Sequence, residues 1–456
     1  MQRVVIIGGG LSGTLLVIYL LRINRQPLDI IVIDKNPPGT LGVAYSTDED
    51  FHLLNVPAGK MSVFPDKPDD FLNWLKASGY SYHGGSFVPR RIYKKYIQNL
   101  LASELSATRT ISRYTFIQEK ALDIHAGERL LMLESGRMIP FDKLVLAIGN
   151  FNPAGLPIAD KSYLDHPAYF GSGWDHHLFG NVGENMKILI LGTGLTMVDT
   201  VLTLKRRQHF GSIIALSTHG LTPMAYRESI PYPISDLPSH SITTCLKALT
   251  IVNSHIKKAK QQGVSWHSVI DAVRPFTQQI WRNLPVTEKR IFMEHVRHIW
   301  GVARHRMPLE CAHELYELIK QELLSIVAGR IRSIRENSAI FSVEYQQRQT
   351  GKKISIEVDL IINCMGPEQN YRKLQDALIR NLLRRSLIRT DELQQGIDCT
   401  PEGVIINEKG VPSSWLYTIG PPMKGILWEI TSVPEIRIAA LKLAELILLA
   451  KGQLVF

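Results

Sequence analysis

Apolar positions near the N-terminus fall into short runs of distinct period. Arg3-Val-Val-Ile-Ile is a compact β-branched run, the pattern of a strand buried on both faces of a parallel sheet. Glycines crowd the next six residues, and Leu15–Arg22 then reads as an apolar helix. A second strand, Asp29–Asp34, ends in a carboxylate, which completes a βαβ unit. Taken as one apolar block after Arg3, Val4–Leu21 imitates a signal peptide or a membrane span. The glycines and Ser12 inside it mark a strand–turn–helix instead, so a soluble protein without a transmembrane segment is expected.

Residues 35–90 are rich in Pro, Gly and Asn, with a helix predicted near Asp69–Ala77 and another over Arg91–Glu104. Strands follow at about 114–118, 129–133 and 143–148, a small meander returning to the main sheet and ending at Gly149. At Lys187 the pattern restarts: strand Ile188–Leu191, turn Gly192-Thr193-Gly194, helix Leu195–Arg207, strand Ile213–Ser217. Between about 240 and 325 glycine becomes scarce and helical spacing dominates, anchored by Trp266, Trp281, Phe292 and Trp300. Strands return at 342–345, 354–357 and 359–363, ending at Cys364-Met365-Gly366. A last block over Val404–Gly420 leads to a C-terminal helix over Pro434–Lys451. The strand ends at Gly149 and Gly366 are alike and mark where the chain crosses between two domains.

The pattern predicts an α/β fold: two Rossmann-like dinucleotide-binding domains of the three-layer ββα type, with an all-helical insertion. The expected boundaries are 1–155 with 367–456 for a discontinuous first domain, 185–235 with 326–366 for a second, and 236–325 for the insertion. A length of 456 residues requires more than one core. Apolar content of 45% and charged content of 21% are those of a globular chain rather than a disordered one.

The net charge of +10 favours anionic ligands or acidic partners. Much of the surplus lies in the insertion: Cys245–Glu310 holds eleven Lys and Arg against four Asp and Glu. Elsewhere the cations are scattered, without a basic arm or zinc-finger signature, which argues against nucleic acid. Cys245, Cys311, Cys364 and Cys399 form no CxxC pair. That argues against a disulfide framework, a zinc site and a dithiol flavin reductase, and suits the cytoplasm.

The first turn reads Gly8-x-Gly10-x-x-Gly13. The first glycine permits the tight turn, the second lets backbone approach a pyrophosphate, and the third lets helix pack on strand. The helix N-terminus then faces the diphosphate, and Asp34 stands where a carboxylate accepts from ribose hydroxyls. The second turn, Gly192-x-Gly194-x-x-Met197, lacks the third glycine, so helix and strand must sit farther apart. Its next strand ends at Ser217-Thr218-His219 without a carboxylate. Hydroxyls and an imidazole accommodate a 2′-phosphate, with Arg206, Arg207 or Arg227 as added charge, which favours NADPH over NADH. Two such turns in one chain imply FAD held at the first and a nicotinamide presented by the second.

The chain resembles a bacterial FAD/NAD(P)-binding protein family, YdhS-like, related to flavin-dependent N-hydroxylating and Baeyer–Villiger-type monooxygenases. The resemblance rests on the six residues Gly8–Gly13, on His52-Leu53-Leu54-Asn55-Val56-Pro57-Ala58, and on the eight residues Gly192–Asp199. It continues through Arg304-His305-Arg306-Met307-Pro308, Asn363-Cys364-Met365-Gly366-Pro367 and Gly425-Ile426-Leu427-Trp428-Glu429. It implies that the Leu54-Asn55-Val56 loop and the Gly420–Thr431 segment lie near the isoalloxazine. Pro421 stands where many two-dinucleotide flavoproteins carry an acid after the final glycine. Phe170-Gly171-Ser172-Gly173 lacks the Baeyer–Villiger spacing. The expected cofactor contacts are Gly8, Gly10, Ser12, Gly13, Asp34, Gly42, Asn55, Gly149, Gly192, Gly194, Thr196, Gly420, Gly425 and Thr431.

Arg304, His305 and Arg306 are the candidate catalytic cluster, two guanidiniums and an imidazole able to clamp a carboxylate or phosphate and supply a proton. Asp199, one turn into its helix, and the tryptophans read as structural. Three functions are consistent with these features. The first is an NAD(P)H-dependent FAD monooxygenase acting on a small, anionic metabolite. The second is a flavin dehydrogenase or quinone-type reductase. The third is a non-catalytic accessory protein docking an acidic partner through the insertion.

Overall fold

The computed structural model describes residues 1–449 except 109, 176, 235, 236, 238, 338 and 339. Two separate sheets carry the two glycine turns. In the first, the strand order is Val404–Ile406, Pro412–Thr418, Lys143–Leu146, Gln2–Ile7, Leu28–Asp34 and Arg113–Gln118. All its pairings are parallel except that between the two C-terminal strands. Both ends of the chain therefore build one sheet.

Alternation along Gln2–Ile7 shows why this run is a central strand. Val4 and Ile6 pack on one side with helices Leu11–Ile23, Arg90–Thr108 and Val433–Leu449. Val5 and Ile7 pack on the other with the three-stranded sheet Ala121–His125, Leu130–Leu133, Met138–Pro140 and helix Ala377–Arg384. Each such side chain contributes about 1.5–3 kcal/mol on full burial, so a β-branched run apolar on both faces is held from both sides. The result is the three-layer ββα arrangement. The stretch that imitates a membrane span is this buried strand, its turn and its helix. Among the described residues no helix is long and apolar enough to cross a membrane.

The second sheet runs Lys353–Val358, Ile340–Gln347, Leu324–Asn337, Ile213–Ser217, Ile188–Leu191, Leu360–Asn363 and Tyr169–Phe170. Ile188 and Ile190 face helices Leu195–Arg206 and Leu309–Lys320, while Leu189 and Leu191 face the hairpin of 331–358. The two crossings between sheets lie side by side. Pro153 bridges Pro367, and Ala154 N donates to Gly366 O at 3.0 Å.

Four expectations need correction. The first helix begins at Leu11, because the last turn residues already adopt helical geometry behind Gly10. The second long helix extends over Arg90–Thr108. The strand Leu324–Asn337 escapes the periodicity argument. It starts parallel to Ile213–Ser217 and finishes antiparallel to Ile340–Gln347, so its first part is sheet interior and its second half-solvated, and no single period describes it. Helices of the insertion consequently end at Lys320, and the predicted limit at 325 falls inside that strand. The C-terminal helix is Val433–Leu449; Lys451 and the 235/236 boundary lie outside the described residues.

Candidate functional site

At the first turn, Gly8 has a positive φ of 110°, and a Cβ there would overlap the Ala147 carbonyl oxygen. A Cβ at Gly13 would overlap the Gly8 carbonyl oxygen, so the third glycine lets helix touch strand. Gly10 is different. Its nearest prospective contact is Gly42 Cα at 3.9 Å, and Gly42 itself has φ 82°. Helix Leu11–Ile23 starts at Gly10 with no side chain capping it. An uncapped N-terminus beside open space fits a diphosphate. Gly420, φ 82°, closes over the turn, where a Cβ would overlap Ser12 Oγ.

Asp34 does more than face a ribose. Its Oδ2 accepts from Gly9 N at 2.7 Å, and its Oδ1 accepts from Asn36 N at 2.8 Å, so the carboxylate braces the glycine turn itself. Gly149, φ 65°, has no neighbour within 4 Å of a prospective Cβ. The half-buried Asn55 side chain has no hydrogen-bond partner among the described residues. The remaining two residues expected near the flavin have surroundings of their own. A Cβ at Gly425 would overlap the Asp391 carboxylate, and its carbonyl accepts from Trp281 Nε1 at 2.9 Å. Thr431 is exposed.

The second turn repeats the geometry. Gly192 has φ 100° and lies against the Cys364 carbonyl; Gly194 is exposed with free space around it. The helix Leu195–Arg206 is again uncapped, with Thr196 half-buried in its first turn. Met197, replacing the third glycine, is fully buried against the sheet. Thr193 Oγ1 is 2.9 Å from Ser217 Oγ and donates to Leu221 O at 2.5 Å, which ties the turn to the end of the next strand.

The arginines expected at that strand end are elsewhere. Arg206 pairs bidentately with Glu314 at 2.6 and 2.7 Å, Arg207 lies 3.7 Å from Glu49, and the exposed Arg227 acts on His267. Arg348 stands there instead, its Nη1 donating to Thr218 O at 3.4 Å. It comes from 130 residues downstream, a separation that sequence proximity does not reveal.

Between the two turns the domains are fastened by ions. Arg90 Nη2 meets Asp199 Oδ2 at 2.8 Å with both side chains nearly buried, and Arg90 Nε donates to Leu53 O at 3.0 Å. His52 Nε2 lies 3.0 Å from Thr203 Oγ1 on the same helix. Burial, against the pull of Asp199, lowers the His52 pKa. The His52–Ala58 match therefore docks on the second domain through its first residue.

The Arg304-His305-Arg306 cluster is not an open anion clamp. Arg304 is buried, its Nε donating to Glu429 Oε2 at 3.0 Å, with Glu435 3.9 Å from its Nη2. Arg306 Nη2 donates to Asp271 Oδ1 at 2.5 Å. One nitrogen of each, Arg304 Nη2 and Arg306 Nη1, is buried without a hydrogen-bond partner among the described residues. Burial, against the pull of Glu429, lowers the His305 pKa.

Glu429, the last residue of the matched stretch Gly425–Glu429 and one whose role the sequence alone does not reveal, is central. It is 4% exposed, has a positive φ of 71°, and accepts from Trp300 Nε1 at 2.7 Å as well as from Arg304. A non-glycine residue in that region costs on the order of 1–3 kcal/mol and persists only where its surroundings hold it. Trp428 packs against Trp281, with ring centroids 4.9 Å apart. Arg274 chelates Glu435 at 2.8 and 2.9 Å. The helical insertion is thus bolted onto the segment Gly425–Glu435. Beside it Lys424 sits over the Trp428 ring, and burial, reinforced by Arg297, pushes its pKa down to about 8. Among the described residues no cluster of metal ligands occurs.

A FAD-NAD(P)-binding family model matches residues 5–151. No curated protein sequence matches the chain. Among solved structures, ornithine hydroxylase from Pseudomonas aeruginosa is similar over 99% of this chain and 100% of its own, with TM-score 0.63 and 14% identity. Ornithine N-hydroxylase from Kutzneria, solved with reduced FAD, NADP+ and L-ornithine, gives TM-score 0.62 at 12% identity over 98% and 99%. The FAD-bound cadaverine monooxygenase of Erwinia amylovora gives 0.61 at 14% over 97% and 94%. The chain shares the overall fold of these proteins over 97–99% of its length.

Proposed function

We propose that this protein is an FAD-dependent NAD(P)H oxidoreductase of the monooxygenase type, acting on a small amine. The observation that carries the reading is the pair of uncapped, glycine-lined helix N-termini, at Gly10 and Gly194, each at the end of a parallel strand. In this reading 1–155 with 367–456 holds FAD, through Gly8, Gly10, Ser12, Gly13, Asp34, Gly42, Asn55, Gly149 and Gly420. Residues 185–235 with 326–366 hold the nicotinamide cofactor, through Gly192, Gly194 and Thr196. When bound, FAD supplies hydride acceptance and the reaction with oxygen. The chain supplies position. Helix N-termini hold the diphosphates, Arg90–Asp199 and His52 set one domain against the other, and Glu429 keeps the insertion closed over the flavin-side segment, excluding water.

An amine fits better than an anion. Arg304 and Arg306 are committed to carboxylates, and the similar enzymes act on ornithine and cadaverine. A YdhS-like branch of this fold, working in the reducing cytoplasm, is consistent with four cysteines that are all free and buried. The test is spectroscopic. Anaerobic NADPH should bleach the yellow holoprotein, and air should then yield a hydroxylated amine. Absence of bleaching by either nicotinamide overturns the reading. Rapid quinone reduction without hydroxylated product would favour the plain reductase.

One observation supports an additional docking role. Lys257, Lys258 and Lys260 are all exposed on helix Cys245–Gln261, a surface suited to an acidic partner.

A further inference from the structure

Four groups from three places converge just past the strand Ile213–Ser217. The imidazoles of His219 and His298 stack at 3.6 Å between centroids, with 20° between planes. His298 belongs to the insertion, in helix Arg297–Arg304. Arg348 reaches in from the end of strand Ile340–Gln347 and bonds the carbonyl of Thr218. Arg297 and Arg348 are exposed and both imidazoles half-buried, so solutes reach the cluster. Burial lowers both imidazole pKa values; His298, then Arg348 and Arg297, add to it at His219, and Arg297, then Arg348 and His295, add to it at His298. Of the nearby carboxylates, Glu294 lies 3.8 Å from His295, and Glu294 and Glu392 line a groove together with Arg297. Among the described residues no carboxylate pairs with any of the four.

Such a cluster is short of negative charge, and it stands where a dinucleotide on the Gly192 turn would place its adenosine ribose. We propose that His219, Arg297, His298 and Arg348 form a site for a phosphate monoester dianion, the 2′-phosphate of the nicotinamide cofactor, and that its capture clasps the helical insertion to the nicotinamide domain. The inference rests on the nicotinamide reading of the Gly192 turn. Neither the domain nor the insertion completes the site alone. A dianion within hydrogen-bond reach favours the charged imidazoles, so binding takes up protons and weakens as pH rises. The same short helix carries Trp300 and Arg304, which hold Glu429. Phosphate capture at one end of that helix therefore steadies the flavin-side segment at the other.

The test is calorimetric titration of the holoprotein with 2′,5′-ADP and with 5′-AMP, at pH 6.5 and 8.0, in buffers of different ionisation enthalpy. The expected result is at least tenfold tighter binding of 2′,5′-ADP, net proton uptake, and a preference that shrinks at pH 8.0. His298→Asn and Arg348→Ala should each remove most of that preference and leave 5′-AMP binding unchanged, which also shows that the variants fold. Equal binding of both nucleotides, or a preference indifferent to both substitutions, overturns the phosphate site while the nicotinamide reading stands. Binding of neither nucleotide overturns both.

Discussion

At the scale of single residues, Glu429 shows how a buried charge specifies a contact. Its carboxylate neutralises Arg304, receives Trp300, and holds its own backbone in the left-handed region. Removing one member of a buried pair costs about 3–5 kcal/mol, since the other is left uncompensated. Glu429→Gln should therefore lower the urea midpoint by that equivalent. Combining it with Arg304→Met should cost less than the sum of the two, because the unpaired charge is gone. His267 makes the pH-dependent counterpart. Burial, then Arg306 and Arg227, pushes its pKa to about 4. Between pH 4 and its unfolded value near 6.5 the unfolded chain binds the extra proton. Stability is thus full above that window and falls as pH drops through it. His267→Asn should reduce the slope of unfolding free energy by up to about 1.4 kcal/mol per pH unit, measured by urea titration across pH 4.5–6.5.

At the scale of elements, the strand and the glycine turn at the N-terminus are legible in the sequence, while the start of the helix, at Leu11, is not. The structure separates the demands on the turn's glycines. Gly13→Ala drives a Cβ into the Gly8 carbonyl and should both destabilise the protein and strip its flavin. Gly10→Ala meets nothing closer than 3.9 Å and should leave the unfolding midpoint in place while weakening flavin retention at least tenfold. Equal loss of stability in the two variants would contradict this division. Leu324–Asn337 shows where pattern reading stops: a strand changing partners midway has no single period.

At the scale of the whole molecule, two dinucleotide turns work together only if their domains keep a fixed pose. The Arg90–Asp199 pair and the His52–Thr203 contact fasten that pose across more than 100 residues of sequence. Arg90→Met should leave flavin bound and each domain folded, yet slow anaerobic flavin reduction by NADPH at least tenfold in stopped flow, since misplacement by about 1 Å can cost on the order of 100-fold. An unchanged reduction rate would show that the pair serves stability alone.

What the sequence by itself determined is local in origin. The βαβ units, their uncapped glycine turns, the two-sided apolar strands and the helical insertion follow from periodicity and from glycines within a few residues of one another. Asp34, too, could be placed from its spacing, although its bracing of Gly9 could not. The tertiary structure decided whatever depends on long-range pairing. Arg304 and Arg306 read as a free clamp until Glu429 and Asp271, 125 and 35 residues away, are seen to neutralise them. Arg206 reads as a phosphate ligand until Glu314 takes it, and Arg348 acquires meaning only beside Thr218. The physical reason is the same in each case. A glycine's steric role is set by its own backbone, whereas a charged side chain's role is set by the partner that folding brings to it.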